Sequence, residues 1–133
     1  YNQHVYSLLN TLCLDFFTAG PARLFRMNHI VEMVGSATGW ETSLFELMLV
    51  GERTTTLARL FNEREGLDRE DDALPDRLFE PLESGPLTGI SLDRDQFEGA
   101  LDYYYEMMGW DIATGKPRAA ILHKLNIANL SQF

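Results

Sequence analysis

Cysteine is almost missing from this sequence: there is one, Cys13, in 133 residues. An internal disulfide is therefore excluded. One thiolate cannot hold an iron–sulfur cluster alone, because such clusters normally take four. Free-thiol usage of this kind fits a reducing compartment. Basic residues are also scarce, with 11 Lys+Arg against 20 Asp+Glu and a net charge of −9. That balance excludes the basic stripe through which a nucleic-acid binder displaces counterions, and equally a polybasic membrane anchor. No apolar run approaches the roughly 18 residues of a membrane-spanning helix. No secretory leader is visible at the start. His4, His29 and His123 stand in no zinc-binding spacing and read as surface or helix-terminal residues. Glycine-rich phosphate loops and the Gly-x-Ser-x-Gly elbow are missing too. No nucleophile–base pair can be named, so a free-standing hydrolase gains no support.

What is present is the composition of a soluble globular domain, 45% hydrophobic and 23% charged. A chain of this length buries about two-thirds of its unfolded surface and can hold a core. Residues 1–133 read as a single helical domain. The sequence opens on Tyr1, inside a helical pattern, which reads as a piece of a longer chain. Charge is unevenly spread: residues 62–111 hold 15 acidic and 4 basic residues. This middle stretch reads as a solvated acidic face, or more sharply as a docking face for a basic partner.

The apolar spacing predicts about five helices. The first spans residues 2–17, with Val5, Leu8, Leu9, Leu12 and Phe16 in one stripe, and is stopped by Thr18-Ala-Gly-Pro21. The second runs from Met27 to Thr38, capped by Gly39, with Trp40 packed on a neighbour. The third starts at a Ser43/Glu46 capping box and ends at Gly66. Gly51 and Thr54 to Thr56 weaken its middle. A long acidic loop over 67–91 is broken by a turn around Asp76–Leu82. The fourth helix covers Asp93 to Met108, capped by Gly109. The last begins at Pro117 as its first residue and reaches Leu125. No strand-length alternation exists, so the class is all-α, an irregular multi-helix bundle.

Few residues suggest chemistry by themselves. Asp68-Arg-Glu-Asp-Asp72 lacks the alternating oxygens and central Gly of a calcium loop. Arg64, Arg69 and Arg77 are the expected partners for its carboxylates. Cys13 reads as mid-helix and buried. Asp15 is unusual on so apolar a helix and should pair, be exposed or serve a cofactor. Tyr103-Tyr-Tyr105 with Met107 and Met108 reads as core.

Several segments, in order, carry a resemblance. They are Leu57-Ala-Arg-Leu-Phe-Asn-Glu-Arg-Glu-Gly66, Arg69-Glu-Asp-Asp-Ala-Leu-Pro-Asp-Arg77, Glu80-Pro-Leu82, Leu101-Asp-Tyr-Tyr-Tyr105 and Gly109-Trp-Asp111. From about Tyr6 to Ile127 the chain resembles the C-terminal helical domain of the tungsten-containing aldehyde:ferredoxin oxidoreductases. The resemblance implies a cytoplasmic parent enzyme that oxidises aldehydes to carboxylic acids and passes electrons to ferredoxin. It implies a tungsten or molybdenum bis-pterin cofactor beside an iron–sulfur cluster, enclosed together with upstream domains of the same chain. The fragment alone would be inactive and would hold no cofactor. Nucleic acid and membrane are not implied partners.

The family signature here is Asp-x-x-Gly-Leu-Cys, whose Asp contacts a pterin and whose Cys is a cluster ligand. The matching stretch is Asn10-Thr-Leu-Cys-Leu-Asp15. Thus Asn10 stands for the Asp, Cys13 for the Gly and Asp15 for the Cys. Asn10 and Leu14 are the implied cofactor contacts, and Asp15 and Cys13 the implied metal ligands. Asn10 keeps an acceptor and gains donors but loses the charge. Three readings stay open: a cluster with Asp15 as ligand, a cluster bound by Cys13 in a shifted register, or a member that lost its cluster. The alternative function is a helical interaction module that kept the fold and lost the cofactor.

Overall fold

The computed structural model describes residues 1–19 and 25–130. Among the described residues six α-helices follow one another: α1 (Asn2–Thr11), α2 (Phe16–Ala19, a single turn), α3 (Met27–Thr38), α4 (Leu44–Arg64), α5 (Arg94–Met108) and α6 (Ala119–Lys124). Three 3-10 turns, Arg69–Asp71, Asp76–Leu78 and Ala128–Leu130, complete the set. Among the described residues no strand forms; Trp110 and Pro117 make one isolated antiparallel bridge. The all-α class follows.

The longest helix, α4, organises the rest. Its start is the expected reciprocal cap. The Ser43 N–H donates to Glu46 at 2.8 Å, and the Glu46 N–H donates to Ser43 Oγ at 3.2 Å. The Ser43 hydroxyl, which donates to the Glu46 carboxylate at 2.8 Å, and then the Ser43 N–H hold that carboxyl below its ordinary range. Gly51 and the threonines do not interrupt the helix. A Cβ on Gly51 would sit 2.0 Å from the His4 carbonyl oxygen, so only glycine lets α1 cross α4 this closely. Beside that crossing, the Ser7 and Thr55 hydroxyls meet at 3.0 Å, and those of Thr11 and Thr54 also at 3.0 Å. Here Thr54 and Thr55 add hydroxyl contacts to the crossing, which offset their low helix propensity.

Helix ends recur in one form. At α1 the Leu14 N–H reaches Leu9 O (3.0 Å) and the Cys13 N–H reaches Asn10 O (3.1 Å). This is a Schellman closure, and it needs a left-handed residue, here Cys13 at φ 55°. The same bond pair closes α4 at Gly66, α5 at Gly109 and α6 at Asn126. The first helix is therefore shorter than its apolar periodicity implies. The stripe continues to Phe16, but the chain turns at Leu12–Leu14. The stop expected at Gly20 and Pro21 lies outside the described residues. Pro117 does not open α6 either. It pairs with Trp110, and the helix begins after Arg118. Trp40, expected to pack, is 72% exposed.

Two apolar clusters flank α4. Leu8, Leu9, Ile30 and Leu47 form one, with Val5, Leu12, Leu14 and Val34 around them. Tyr105, Met108, Trp110, Ile121, Leu122, Leu125 and Ile127 form the other. Each fully buried aliphatic side chain contributes about 1.5–3 kcal/mol relative to exposure. Of the Tyr–Met run on α5, Tyr105 and Met108 join the core, while Tyr103 and Met107 stay exposed. Among the described residues no helix is long and apolar enough to cross a membrane.

Candidate functional site

The signature stretch lies where α1 stops. Asn10 is exposed in the last turn of the helix, and Leu14 is half-buried against the Leu8–Leu9 cluster. Cys13 is exposed, not buried in mid-helix, because the chain has already left the helix there. Its φ of 55° is uncommon for a residue with a side chain. The resemblance to the family implies Gly at that position. Asp15 caps the next turn: its Oδ1 accepts the Phe17 N–H at 2.8 Å. Around this end stands an exposed aromatic group. The rings of Tyr6 and Phe16 are 4.7 Å apart, and those of Phe16 and Phe17 are 5.7 Å apart. Phe17 is 67% exposed.

A second polar constellation was only partly legible. Arg59, on α4, is 6% exposed. Its Nη1 donates to Asp72 at 2.7 Å and its Nε to the Gly115 carbonyl at 2.9 Å. The guanidinium lies 5.7 Å from the Tyr105 ring centre and 5.5 Å from that of Trp110. The Tyr105 hydroxyl donates a short hydrogen bond to the same Asp72 oxygen. Burial, and then Asp72, push the Tyr105 phenol up to about 12. Gly115 is required, since a Cβ there would lie 2.1 Å from Arg59 Nη2. Arg59 is thus the partner of Asp72, where Arg64, Arg69 or Arg77 was expected. Arg69 instead holds Glu98 at 2.8 Å, Asp102 at 2.8 Å and the Ile112 carbonyl at 2.8 Å. The available signal was an arginine set between Leu57 and Leu60 on a largely apolar helix.

This knot draws together Arg59, Asp72, Tyr105 and Trp110. Each comes from a different one of the segments that carry the resemblance. Residues 1–127 match the family model described as "Aldehyde ferredoxin oxidoreductase, domains 2 & 3". The chain belongs to this aldehyde ferredoxin oxidoreductase family. A tungsten-containing aldehyde ferredoxin oxidoreductase of Pyrococcus furiosus is 35% identical over 99 residues, covering 73% of this chain and 16% of that protein. The Pyrococcus abyssi enzyme of the same name is 37% identical over 81 residues, 59% of this chain and 13% of that protein. An aliphatic sulfonate oxidoreductase WOR-like subunit of Pyrococcus furiosus is 39% identical over 59 residues, 44% of this chain and 9% of its own length. Among solved structures, the active-site complex BamBC of benzoyl coenzyme A reductase with 1,5-dienoyl-CoA shares the fold. Its TM-score is 0.66 at 22% identity, covering 81% of this chain and 15% of that one. The chain thus spans about a sixth or less of the length of the relatives it matches.

Aldehyde ferredoxin oxidoreductase relatives named for tungsten raise the question of fit. For a pterin, the donor set is suitable: an exposed carboxamide at Asn10 offers both donor and acceptor beside an apolar Leu14. For a thiolate-ligated cluster it is not suitable in the family register. The ligand position holds Asp15, whose carboxylate caps Phe17, and the one thiol lies two residues earlier. Among the described residues no group of three or more His, Cys, Asp or Glu side chains could hold a metal ion.

Proposed function

We propose that this chain is the closing helical domain of a tungsten- or molybdenum-pterin oxidoreductase of the aldehyde ferredoxin oxidoreductase type. The observation that carries the reading is the family match over residues 1–127. The exposed aromatic group beside the signature turn supports it, because such surface calls for cover. When bound in the parent enzyme, the metal-pterin group would take up the two electrons released as an aldehyde and one water become a carboxylic acid and two protons. The work of this domain is to hold and cover the group. Asn10 would hydrogen-bond a pterin ring edge, and Leu14 would pack against its face. The Schellman closure fixes both on a rigid helix end. Tyr6, Phe16 and Phe17 would shield that end from solvent. The parent is read as a cytoplasmic enzyme with ferredoxin as electron acceptor, and the isolated domain as inactive. Relatives are named for aldehydes and for sulfonates, so substrate choice is assigned to residues outside this domain. No role is given to Asp15 or Cys13 in a cluster.

The test is metal and pterin analysis of the intact protein, purified without oxygen, with aldehyde-dependent reduction of a viologen dye. Stoichiometric tungsten or molybdenum is expected, and Asn10→Leu should lower pterin retention with the melting temperature unchanged. An intact protein without metal and pterin would sink the reading. One observation favours a second reading, an interaction module without cofactor: all three signature positions differ from the family pattern. The same analysis separates the two.

A further inference from the structure

Beside the Arg59 knot lies a cavity of about 420 Å³, between α4, α5 and the loop at 72–74. Small-molecule sites run from about 300 to 1,000 Å³. One water takes only about 30 Å³. Ala58, Leu74, Phe97 and Leu101 give the cavity apolar walls, and Arg59 and Trp110 line it as well. Both of these are more than nine-tenths buried. Arg59 Nη2 and Trp110 Nε1 are buried too, and among the described residues neither has a hydrogen-bond partner. Both atoms are donors and nothing else. The acceptors of the knot are already engaged: Asp72 Oδ2 takes Arg59 Nη1 and the Tyr105 hydroxyl, and the Gly115 carbonyl takes Arg59 Nε. Buried donors are nearly always matched, so an acceptor from outside the chain is called for.

We infer that this cavity binds a small neutral molecule with an apolar body and a carbonyl oxygen, which accepts from the buried Arg59 and Trp110 donors. The guanidinium centre stands 5.5 Å from the Trp110 ring centre, so both donors fall within the span of one ligand. A carbonyl oxygen has two lone pairs and can take both. Charge selects against an anion. Asp72, 2.7 Å away, already meets the charge of Arg59, and residues 62–111 hold 15 acidic and 4 basic residues. A carboxylate would enter a negative field to reach a cation that is already paired. The apolar body would lie against Leu74, Phe97 and Leu101. None of residues 10–17 lines the cavity, so the site stands apart from the signature turn and from the oxidoreductase reading.

The experiment titrates full-length protein with three probes of similar size: acetophenone, benzoate and ethylbenzene. They carry a neutral carbonyl, a carboxylate and no acceptor. The readout is the Trp110 indole N–H resonance of nitrogen-15-labelled protein, assigned by its loss in Trp110→Phe. Acetophenone is expected to move this resonance saturably, and ethylbenzene to leave it in place. Trp110→Phe should weaken acetophenone binding about 10-fold relative to ethylbenzene, the loss of one buried donor. Benzoate should bind at least about 10-fold more weakly than acetophenone, because of the local negative charge. Ala73→Leu, at an exposed wall position, serves where Trp110→Phe does not fold: by filling the cavity it should abolish the acetophenone response. An unmoved resonance would overturn the inference. So would equal responses to acetophenone and ethylbenzene, which would leave both donors to ordered water, or a response that survives Ala73→Leu. Benzoate binding as tightly as acetophenone would overturn the neutral class of ligand. A ketone is not oxidised as an aldehyde is, so binding is read without turnover. Failure here leaves the oxidoreductase reading standing, and an intact protein without metal leaves this site standing.

Discussion

The two clusters on either side of α4 use different means of closure. Around α1 the contact is apolar and close: Leu8, Leu9, Ile30 and Leu47 are buried, and Gly51 brings two backbones together. Around α5 and α6 the apolar residues enclose a charged centre, where Arg59 meets Asp72, Tyr105 and the Gly115 carbonyl. The first cluster ends in exposed aromatics and an exposed cysteine. The second is sealed by its own loops. The segments that mark the family fall mostly in the second, yet the signature expected to meet a cofactor caps the first. The difference teaches that recognisable sequence and reactive sequence need not coincide. A buried ion pair fixes each partner by hydrogen-bond geometry and leaves a legible pattern. A helix end that faces a neighbour needs only a turn and a few exposed groups.

The largest effect should come from the charged centre. Arg59→Met leaves the Gly115 carbonyl without its donor and Asp72 with only the Tyr105 hydroxyl. Breaking a buried pair by removing one partner costs about 3–5 kcal/mol, and the 34% exposure of the Asp72 side chain puts this loss at the lower end. Denaturant unfolding of the full-length protein checks the loss, and hydrogen exchange should show it first in α5 and α6. A variant as stable as the parent would mean that the knot is ornamental and that apolar packing alone closes this side.

Next is the crossing of α1 on α4. Gly51→Ala places a methyl group 2.0 Å from the His4 carbonyl oxygen, a backbone atom that cannot swing aside. Overpacking of this kind costs about 1–3 kcal/mol. Here hydrogen exchange should rise in α1 and leave α5 unchanged. A loss spread equally over both clusters would show that α4 couples them into one unit.

Tyr105 sharpens the contrast through pH. Its folded pKa lies above the ordinary value of 10, at about 12. Burial and Asp72 both favour the neutral phenol, so the stabilisation is complete below pH 10. It is lost as the pH climbs from 10 through about 12. Tyr105→Phe should remove that alkaline loss and cost about 1–3 kcal/mol at neutral pH, by leaving Asp72 one donor short. Unfolding midpoints between pH 8 and 11.5 measure both. A parallel pH profile in parent and variant would place the titration elsewhere.

Much of this fold was readable from the chain. The Ser43/Glu46 cap, the second helix from Met27 to Thr38 and the Gly39, Gly66 and Gly109 closures follow from local chemistry. So does the irregular acidic loop, some of whose charge goes into caps and pairs such as Asp68 with the Glu70 N–H and Asp76 with Arg94. Three features could not be read locally. Gly51 signals a weak helix until His4 is placed over it. Asp72 signals a pair with Arg64, Arg69 or Arg77, until Arg59 takes it from 13 residues away. Trp40 signals packing, but nothing in the described residues covers it. At the candidate site the periodicity misled: an apolar stripe running through Phe16 hid a left-handed turn at Cys13, because a stripe records burial and not backbone.

The smallest prediction concerns that turn. Cys13 holds φ 55° at a position that Gly fills at the ends of α4 and α5, and Asn at the end of α6. A side chain in the left-handed region costs roughly 1–2 kcal/mol, and glycine relieves it at some entropic cost to the folded state. Cys13→Gly should therefore stabilise the α1 end by about 0.5–1 kcal/mol, seen as a higher denaturant midpoint and slower exchange at Leu12 and Leu14. The thiol is exposed, so no core contact is lost. A destabilised variant would show that the cysteine side chain makes a contact in the intact protein that offsets its backbone strain. That result would move the apolar α1 side of the molecule toward the chemistry of the Arg59 side, with its closure also dependent on one polar group.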